Sequence, residues 1–319
     1  MMHSQNHRGG RILAACMLIA VVTLSCSTDR DAGEFFAPED VGILVVDAVL
    51  TVGKPFPRMV VSRTLSPQIP YTQSAAAERN ATVIISSRAG GPPVTYAETS
   101  TRGLYAPRSL AVVAPLTTYD LVVQTTSSEV LTATTTTPDV FEVDEWVLLD
   151  PSGQSVRRRL RTFDELGDSV YNALENQVTY SEGLVEARFA RPDVEAFQLA
   201  IFSLDLDSDF VIEPEFFEED DFDDIEREGS SPAILADEGT ARLPWFAIFF
   251  QGRHKLKIFA LDRNAYDLVR STPEGSGTFS FGESVGDGFE RPIFHVEGGI
   301  GLFGSVSGDS LGFMIWPRP

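Results

Sequence analysis

Short runs of β-branched and aromatic residues, broken by proline and glycine, dominate the chain from residue 41 to residue 139. Each run is five to eight residues long and lacks helical periodicity, which is typical of antiparallel strands. Six or seven strands in about 100 residues predict an immunoglobulin-like sandwich. The predicted strands span residues 43–50, 58–64, 81–86, 94–98, 119–125 and 130–137.

The second half, residues 140–319, predicts a further β-rich domain with one short helix. Between residues 156 and 177 apolar side chains recur every three or four positions, which favours a helix or helical turn, with Gly167 as a weak point. Strand-like runs then span residues 184–190, 196–204, 245–251, 254–261, 277–281, 292–296 and 311–316. The fold class predicted is therefore all-β, with an Ig-like sandwich followed by a second β-rich domain.

Two tyrosines stand at predicted strand edges, Tyr105 and Tyr119. A ring buried at such an edge can direct its hydroxyl to the backbone, as in a tyrosine corner. The alternative is that both are ordinary half-buried aromatics. In either case we expect a packing role and no chemistry.

The N-terminus carries an apolar run, Ile12–Leu24, interrupted only by Thr23. A membrane-spanning helix needs about 20 apolar residues, so this run fits the core of a signal peptide over residues 1–25. Ser25 followed by Cys26 resembles a bacterial lipobox, in which the cysteine is lipidated and the chain is cut before it. A simple secretory signal and an uncleaved anchor are the alternatives. A competing match at Cys16 is discarded because no apolar core precedes it.

Lipidation of Cys26 would leave the mature chain without a free thiol or a disulfide, since the sequence holds only two cysteines. Residues 26–40 then form an acidic tether. The whole chain has 25 basic and 46 acidic residues, a net charge of −21, which argues against nucleic acid as a partner.

An acidic insertion at residues 213–228 contains ten acids and one base. It follows the alternating carboxylates of Asp205, Asp207 and Asp209, which are candidate calcium ligands because calcium needs six to eight converging oxygens. The EF-hand pattern fails, however, since phenylalanines occupy the places of its glycine and glutamate. A solvated loop is the alternative interpretation.

Other candidate sites have structural interpretations. Arg157, Arg158, Arg159 and Arg161 could clamp a phosphate, but the acids nearby favour a self-paired, solvated face. Residues 282–286 read Gly-Glu-Ser-Val-Gly, the nucleophile elbow of serine hydrolases, yet the loop after them cannot begin the required helix. We expect His254 at the surface and His295 inside a strand, and two histidines do not make a zinc site.

Blocks in both halves resemble a known family. They are Leu44–Leu50, Val60–Thr64, Asn80–Val83, Gly103–Tyr105, Tyr119–Leu121, Ala265–Leu268, Phe289–Pro292 and Val296–Gly304. Together with the lipobox, they are similar to the signatures of the family catalogued as domain of unknown function 4249. The resemblance covers about residues 26–316, and the last block is the most specific.

This last block contains Gly298, Gly299, Gly301 and Gly304. A glycine-dense turn permits positive φ and close backbone approach, so we expect a structural loop there, with a ligand-cradling loop as the alternative.

The resemblance implies a cell-envelope lipoprotein of the Bacteroidetes type, of a kind commonly associated with outer-membrane transporters. Ser27 does not provide the aspartate that retains many lipoproteins in the inner membrane, which favours the outer membrane. We therefore expect a lipid-anchored, non-enzymatic binding or accessory module that assists a TonB-dependent transporter in nutrient uptake. It would need no cofactor beyond the lipid on Cys26 and, if the aspartates bind it, calcium. The alternatives are an envelope hydrolase and a purely structural surface protein.

Overall fold

The computed structural model describes residues 41–190, 194, 196–211, 226–235, 239–271, 279–280 and 292–318. The strands are β1 Leu44–Thr51, β2 Met59–Arg63, β3 Thr82–Ser87, β4 Val94–Glu98, β5 Leu104–Pro107, β6 Thr118–Gln124, β7 Val130–Thr136, β8 Glu145–Leu149, β9 Val156–Arg159, β10 Gln177–Thr179, β11 Val185–Arg188, β12 Ala196–Ser203, β13 Glu228–Ser230, β14 Thr240–Leu243, β15 Gly252–Leu261, β16 Phe279–Ser280, β17 Val296–Glu297 and β18 Ile300–Trp316. The helices are α1 Gln73–Ala76, α2 Phe163–Leu166 and α3 Arg263–Ser271, with 3-10 helices at Gly167–Asn172, Leu174–Asn176 and Trp245–Ala247. The all-β prediction is confirmed, since 46% of the chain is strand and 12% is helix.

The first half is a sandwich whose strands follow the order β18-β1-β2-β5-β4-β3-β6-β7-β17. Burial alternates along β1, where Leu44, Val46, Ala48 and Leu50 face the core and Asp47 faces solvent. This two-residue period is what a strand with one buried face requires. Strand β4 pairs with β3 at its start and with β5 at its end, so it crosses between the two faces of the sandwich.

The segment that contains β17 and β18 pairs with both ends of this strand order. β17 pairs with β7, and β18, two residues later, pairs in parallel with β1. The corner between them is built on glycine because other backbone lies where a side chain would be. A Cβ on Gly298, at φ +75°, would lie 2.2 Å from the carbonyl oxygen of Val130, and one on Gly299 would lie 2.5 Å from that of Leu44.

Only Gly298 and Gly299 form the turn, whereas Gly301 and Gly304 lie within β18. The expectation of one glycine-dense turn was therefore too broad. Gly301 has φ +113°, and a Cβ there would lie 2.1 Å from the carbonyl oxygen of Val46. Gly304 packs against the start of α3, with its would-be Cβ 3.2 Å from the backbone nitrogen of Ala265. Close approach of neighbouring backbone is the reason for glycine at these positions.

The second half packs two sheets around one core. Strands β12, β15 and β18 pair in that order, and a separate four-stranded sheet has the order β14-β11-β8-β9. Large buried side chains from both sheets meet in this core, among them Trp146, Phe197 and Phe313, each with no exposed surface. β15 and β18 pair over ten residues, from Gly252 opposite Ile315 to Leu261 opposite Val306.

Buried polar contacts join the two halves. Asn264, at the start of α3, donates hydrogen bonds to the carbonyl oxygens of Thr134 (2.7 Å) and Phe303 (2.8 Å). The Asp262 carboxylate caps α3 by accepting from Ala265 N (2.8 Å), and it also accepts from the hydroxyl of Thr135. Burial raises the pKa of Asp262. The predicted domain boundary between residues 139 and 140 stays a prediction, and β18 contributes to the cores on both sides of it.

Several predicted elements differ from the structure. Residues 156–159 form strand β9, and the helix expected through residue 177 is divided into α2 and two 3-10 helices. Gly167 ends α2 with φ +55° and ψ −144°, a conformation that glycine adopts readily and that does not continue a helix. The strand expected at 245–251 is instead a 3-10 helix followed by an isolated bridge at Phe250. Of the strand expected at 292–296, only Val296 is in β17.

Candidate functional site

Several predicted features fall outside the described residues: the signal peptide 1–25, the lipidation site Cys26, the acidic tether 26–40, most of the acidic insertion and the Gly-Glu-Ser-Val-Gly motif at 282–286. Among the helices that are described, none is both long and apolar enough to cross a bilayer.

The candidate calcium ligands do not converge. Asp205 binds Arg253 through its side chain, with Oδ1 2.6 Å from Nη2, and also accepts from the backbone nitrogen of Arg253 at 2.7 Å. These hydrogen bonds lower the pKa of Asp205. Asp207 and Asp209 are exposed. In the described ranges no group of three or more His, Cys, Asp or Glu side chains is arranged to hold a metal ion. The calcium site stays a prediction.

The expectation that His254 lies at the surface is wrong. Its side chain is in phase with Leu256 and Ile258 along β15, and the residue is only 2% exposed. The ring stacks on Phe313 with centroids 5.7 Å apart, and Nδ1 lies 3.0 Å from the carbonyl oxygen of Gly252. Burial lowers the pKa of His254 to about 4, so the imidazole is neutral at pH 7.

His295 lies just before β17, rather than inside a strand as expected, and its Nε2 is 2.8 Å from Oδ2 of Asp267 on α3. Asp267 is almost wholly buried and also accepts from Nε of Arg263 and of Arg270, each at 2.8 Å. Burial acts to raise the pKa of Asp267, but the hydrogen bonds from these three partners outweigh it and hold that pKa below its ordinary value. The contact between His295 and Asp267 holds residues 293–295 against α3. A second contact does the same, since Ile293 N donates to Ser271 Oγ (2.8 Å).

The four arginines of residues 157–161 are paired within the body, as the sequence indicated. Arg157 and Arg158 contact Glu182, and Arg159 and Arg161 contact Glu165. The Thr162 backbone nitrogen, Arg159 and Arg161 lower the pKa of Glu165 to about 2.

The prediction that the hydroxyls of Tyr105 and Tyr119 reach the backbone is confirmed. Tyr105 Oη donates to Glu78 O and accepts from Ala81 N, each at 2.9 Å, and Tyr119 Oη accepts from Ala114 N.

Three connections meet at one end of the sandwich, residues 52–58, 88–93 and 108–117, which we call the loop end. Two of them are bonded together, because Gly53 N donates to Val113 O (2.9 Å) and Val113 N donates to Lys54 O (2.9 Å). The third lies beside them, since Arg88 N donates to the carbonyl oxygen of Thr118 at the start of β6.

The loop end exposes aliphatic side chains: Leu110 is 92% exposed, Leu116 69% and Val112 55%. It carries four basic residues and no acid, in a chain whose net charge is −21. Arg88 pairs with Asp120, whereas Lys54, Arg58 and Arg108 make no side-chain ion pair or hydrogen bond with any residue the structure describes. Exposed aliphatic and basic side chains on loops that share one end of a sandwich are typical of an interaction surface.

Sequence reasoning missed this surface. The signal was present in the apolar run Leu110–Leu116 between two strands and in the absence of acids from three separate connections. Neither observation shows by itself that the three loops share one end of the molecule.

The fold and this surface define a class: a β protein with two main cores, whose loop end exposes apolar and basic side chains. The family model described as "Domain of unknown function (DUF4249)" matches residues 34–310, and the chain belongs to that family. None of the curated proteins compared with the chain matches it.

The crystal structure of the FN1–FN3 domains of chicken CNTN1 is similar over 70% of this chain, at 9% identity and a TM-score of 0.24. The chain spans 60% of that structure.

Proposed function

We propose that the protein is a lipid-anchored component of the cell envelope that acts as a non-enzymatic binding or accessory module, with the loop end as its binding surface. The observation that carries the proposal is the exposure of Leu110, Val112 and Leu116 on loops that contain no acid, together with three bases, Lys54, Arg58 and Arg108, that pair with no residue the structure describes. Loops held at one end of a rigid sandwich are a common place for recognition.

The exposed apolar and basic side chains of the loop end indicate what kind of partner surface would fit it. Covering a fully exposed leucine contributes about 1.5–3 kcal/mol, so Leu110 and Leu116 together could supply a few kcal/mol of binding energy. The bases Lys54, Arg58 and Arg108 favour an acidic surround on the partner and would speed association at low ionic strength. We propose a TonB-dependent outer-membrane transporter as that partner.

Lipid attachment at Cys26 would strengthen this interaction without new contacts. A partner in the same membrane meets a tethered module at an effective concentration that reaches the millimolar range for short flexible linkers. A modest apolar and electrostatic contact is then sufficient for occupancy.

The test is site-specific photocrosslinking in intact membranes with a photoreactive amino acid at position 112, followed by mass spectrometry. We expect one membrane protein to be captured, and we expect Leu110→Asp with Leu116→Asp to abolish the capture. Leu174→Asp is the matched control, since Leu174 is 85% exposed in the second half of the chain. Loss of capture with the control, or capture unaffected by the double variant, would contradict the proposed surface.

One observation favours the hydrolase alternative: the contact between His295 and Asp267 is the kind that orients a general base. Asp267 also holds two arginines, so a structural role explains the same contact. Ser284→Ala in the 282–286 motif separates these alternatives, because a hydrolase would lose its esterase or peptidase activity. If membranes yield no crosslinked partner and no activity, the purely structural role is favoured.

A further inference from the structure

Residues 65–77 form an uncharged loop between β2 and β3. Its thirteen residues contain no acid and no base. At its tip Ile69, between the exposed prolines Pro67 and Pro70, is 50% exposed, and Tyr71, directly after Pro70, is 71% exposed. A neutral tip with an aliphatic side chain and a tyrosine contrasts with the strongly acidic composition of the chain.

The uncharged loop is hydrogen-bonded within its tip and held in place at its base. Ile69 N donates to Ser66 O (2.9 Å), and Thr72 caps the one-turn helix α1 by accepting from Ala75 N. Ala76 is buried, and Ala77 forms a bridge with Ser62 of β2. The exposure of the tip therefore belongs to a supported loop.

The uncharged loop lies where the chain joins the body from its N-terminal side. Gly42 N donates to Thr64 O (2.9 Å) and Ile43 N donates to Thr64 Oγ1 (3.0 Å), and the loop follows Thr64 directly. The loop end is at the other end of β1, and eight residues of strand span about 27 Å. The uncharged loop and the loop end thus lie at opposite ends of the sandwich.

We propose that Ile69 and Tyr71 lie in the interfacial region of the membrane that holds the lipid on Cys26, so that the loop end faces away from the bilayer, toward the part of a membrane partner that projects from it. This inference rests on the proposed lipid anchor. Tyrosine favours the boundary between headgroups and water because its ring is apolar and its hydroxyl is polar. A loop without acids also avoids repulsion from anionic headgroups, which the chain as a whole would experience.

A small contact with the membrane is enough to orient a body that a lipid anchor already holds there. Two side chains inserted in the interface bind weakly by themselves. The fifteen residues from 26 to 40 can span at most about 50 Å when extended, so the tether keeps the uncharged loop within reach of the membrane. The contact then sets the orientation of the body, while the lipid supplies the anchoring.

The experiment uses the complete lipidated protein in vesicles of phosphatidylethanolamine and phosphatidylglycerol. If Cys26 carries lipid, the mature chain has no other thiol, so a single introduced cysteine can be labelled with an environment-sensitive fluorophore. The variants are Tyr71→Cys and Pro70→Cys, the second of which keeps both proposed contact residues. Leu110→Cys at the loop end is the matched control. We expect blue-shifted emission, quenched by spin-labelled lipids, at positions 70 and 71 and aqueous emission at position 110.

The outcomes separate the two proposals. Aqueous emission at positions 70 and 71 in a lipidated, vesicle-bound protein would overturn the membrane contact and leave the anchor intact. Blue-shifted emission at position 110 alone would mean that the loop end faces the bilayer, which also overturns it. Labelling of the unsubstituted protein would instead reveal a free Cys26 and refute the anchor.

Discussion

The buried imidazole of His254 makes the stability of the body depend on pH. An ordinary histidine has a pKa of about 6.5, while burial in the core lowers the pKa of His254 to about 4. Between these two values the unfolded chain binds a proton that the native protein does not. Stability must therefore fall as the pH decreases from about 6.5 to about 4 and must be independent of this group above that range.

The size of the effect follows from the shift. One pKa unit corresponds to about 1.4 kcal/mol, so this histidine removes about 3 kcal/mol of folding free energy once the pH reaches about 4. At pH 4.5 the expected loss relative to pH 7 is about 2.5 kcal/mol. The raised pKa of Asp262 acts in the opposite direction, since that carboxylate is more easily accommodated when protonated.

Comparison with His254→Gln isolates the contribution of the histidine. Glutamine does not titrate and can still donate to the carbonyl oxygen of Gly252, while every carboxylate, including Asp262, is common to both proteins. We propose urea unfolding at pH 7, 6, 5.5, 5 and 4.5, with the imidazole followed by NMR. The variant is expected to lose about 2.5 kcal/mol less than the wild type between pH 7 and pH 4.5.

Parallel stability curves for the two proteins would refute this reasoning, as would an NMR titration of His254 near pH 6.5. Either result would mean that the ring is solvated in the native protein. A lower stability of the variant at all pH values is compatible with the account, because only the slope reports the proton.

Two matched pairs of substitutions test the packing, both by chemical denaturation. Gly301→Ala should cost more than about 3 kcal/mol because its Cβ would meet the carbonyl oxygen of Val46, whereas Gly90→Ala, also at positive φ but with no atom within 4 Å, should cost about 1 kcal/mol. Equal costs would contradict the close approach of β18 to β1. Tyr105→Phe should cost about 1–3 kcal/mol because its hydroxyl makes two hydrogen bonds, whereas Tyr96→Phe should be neutral or stabilising because its buried hydroxyl has no partner among the described residues. The reverse order would refute the assignment of the tyrosine corner.

Alternation of apolar and polar residues was sufficient to predict most of the sandwich. β4 was predicted with its observed bounds, Val94–Glu98, and β3 and β6 to within one residue at each end. These strands have one buried and one exposed face, so the sequence carries a two-residue period. β8 was missed because Trp146–Leu149 are all buried, which removes the alternation.

Glycine is the physical reason why only residues 311–316 of β18 were predicted as a strand. A local sequence with glycines at 298, 299, 301, 304, 308 and 312 reads as a turn followed by a loop. In the structure, glycine lets this 17-residue strand lie close to its neighbours, as at Gly308, where a Cβ would lie 2.6 Å from the carbonyl oxygen of Ile258. Such contacts are between residues far apart in sequence, so local pattern cannot predict them.

Local sequence pattern could likewise predict only part of the candidate sites. His254 could have been placed correctly, because its phase with Leu256 and Ile258 marks the buried face of β15. The loop end could not, since it depends on three connections that only the paired strands bring together. The pairing of the acid Asp205 with Arg253, 48 positions away, likewise arises from tertiary structure alone.

The central claim is that a folded body acts from a lipid anchor on Cys26, and intact mass spectrometry of the protein extracted from membranes tests it most directly. We expect a mature chain that begins at Cys26 and carries the mass of its acyl groups, and we expect Cys26→Ser to release the protein from the membrane fraction. A chain that begins elsewhere, or an unmodified cysteine in a protein recovered free of membranes, would contradict the account.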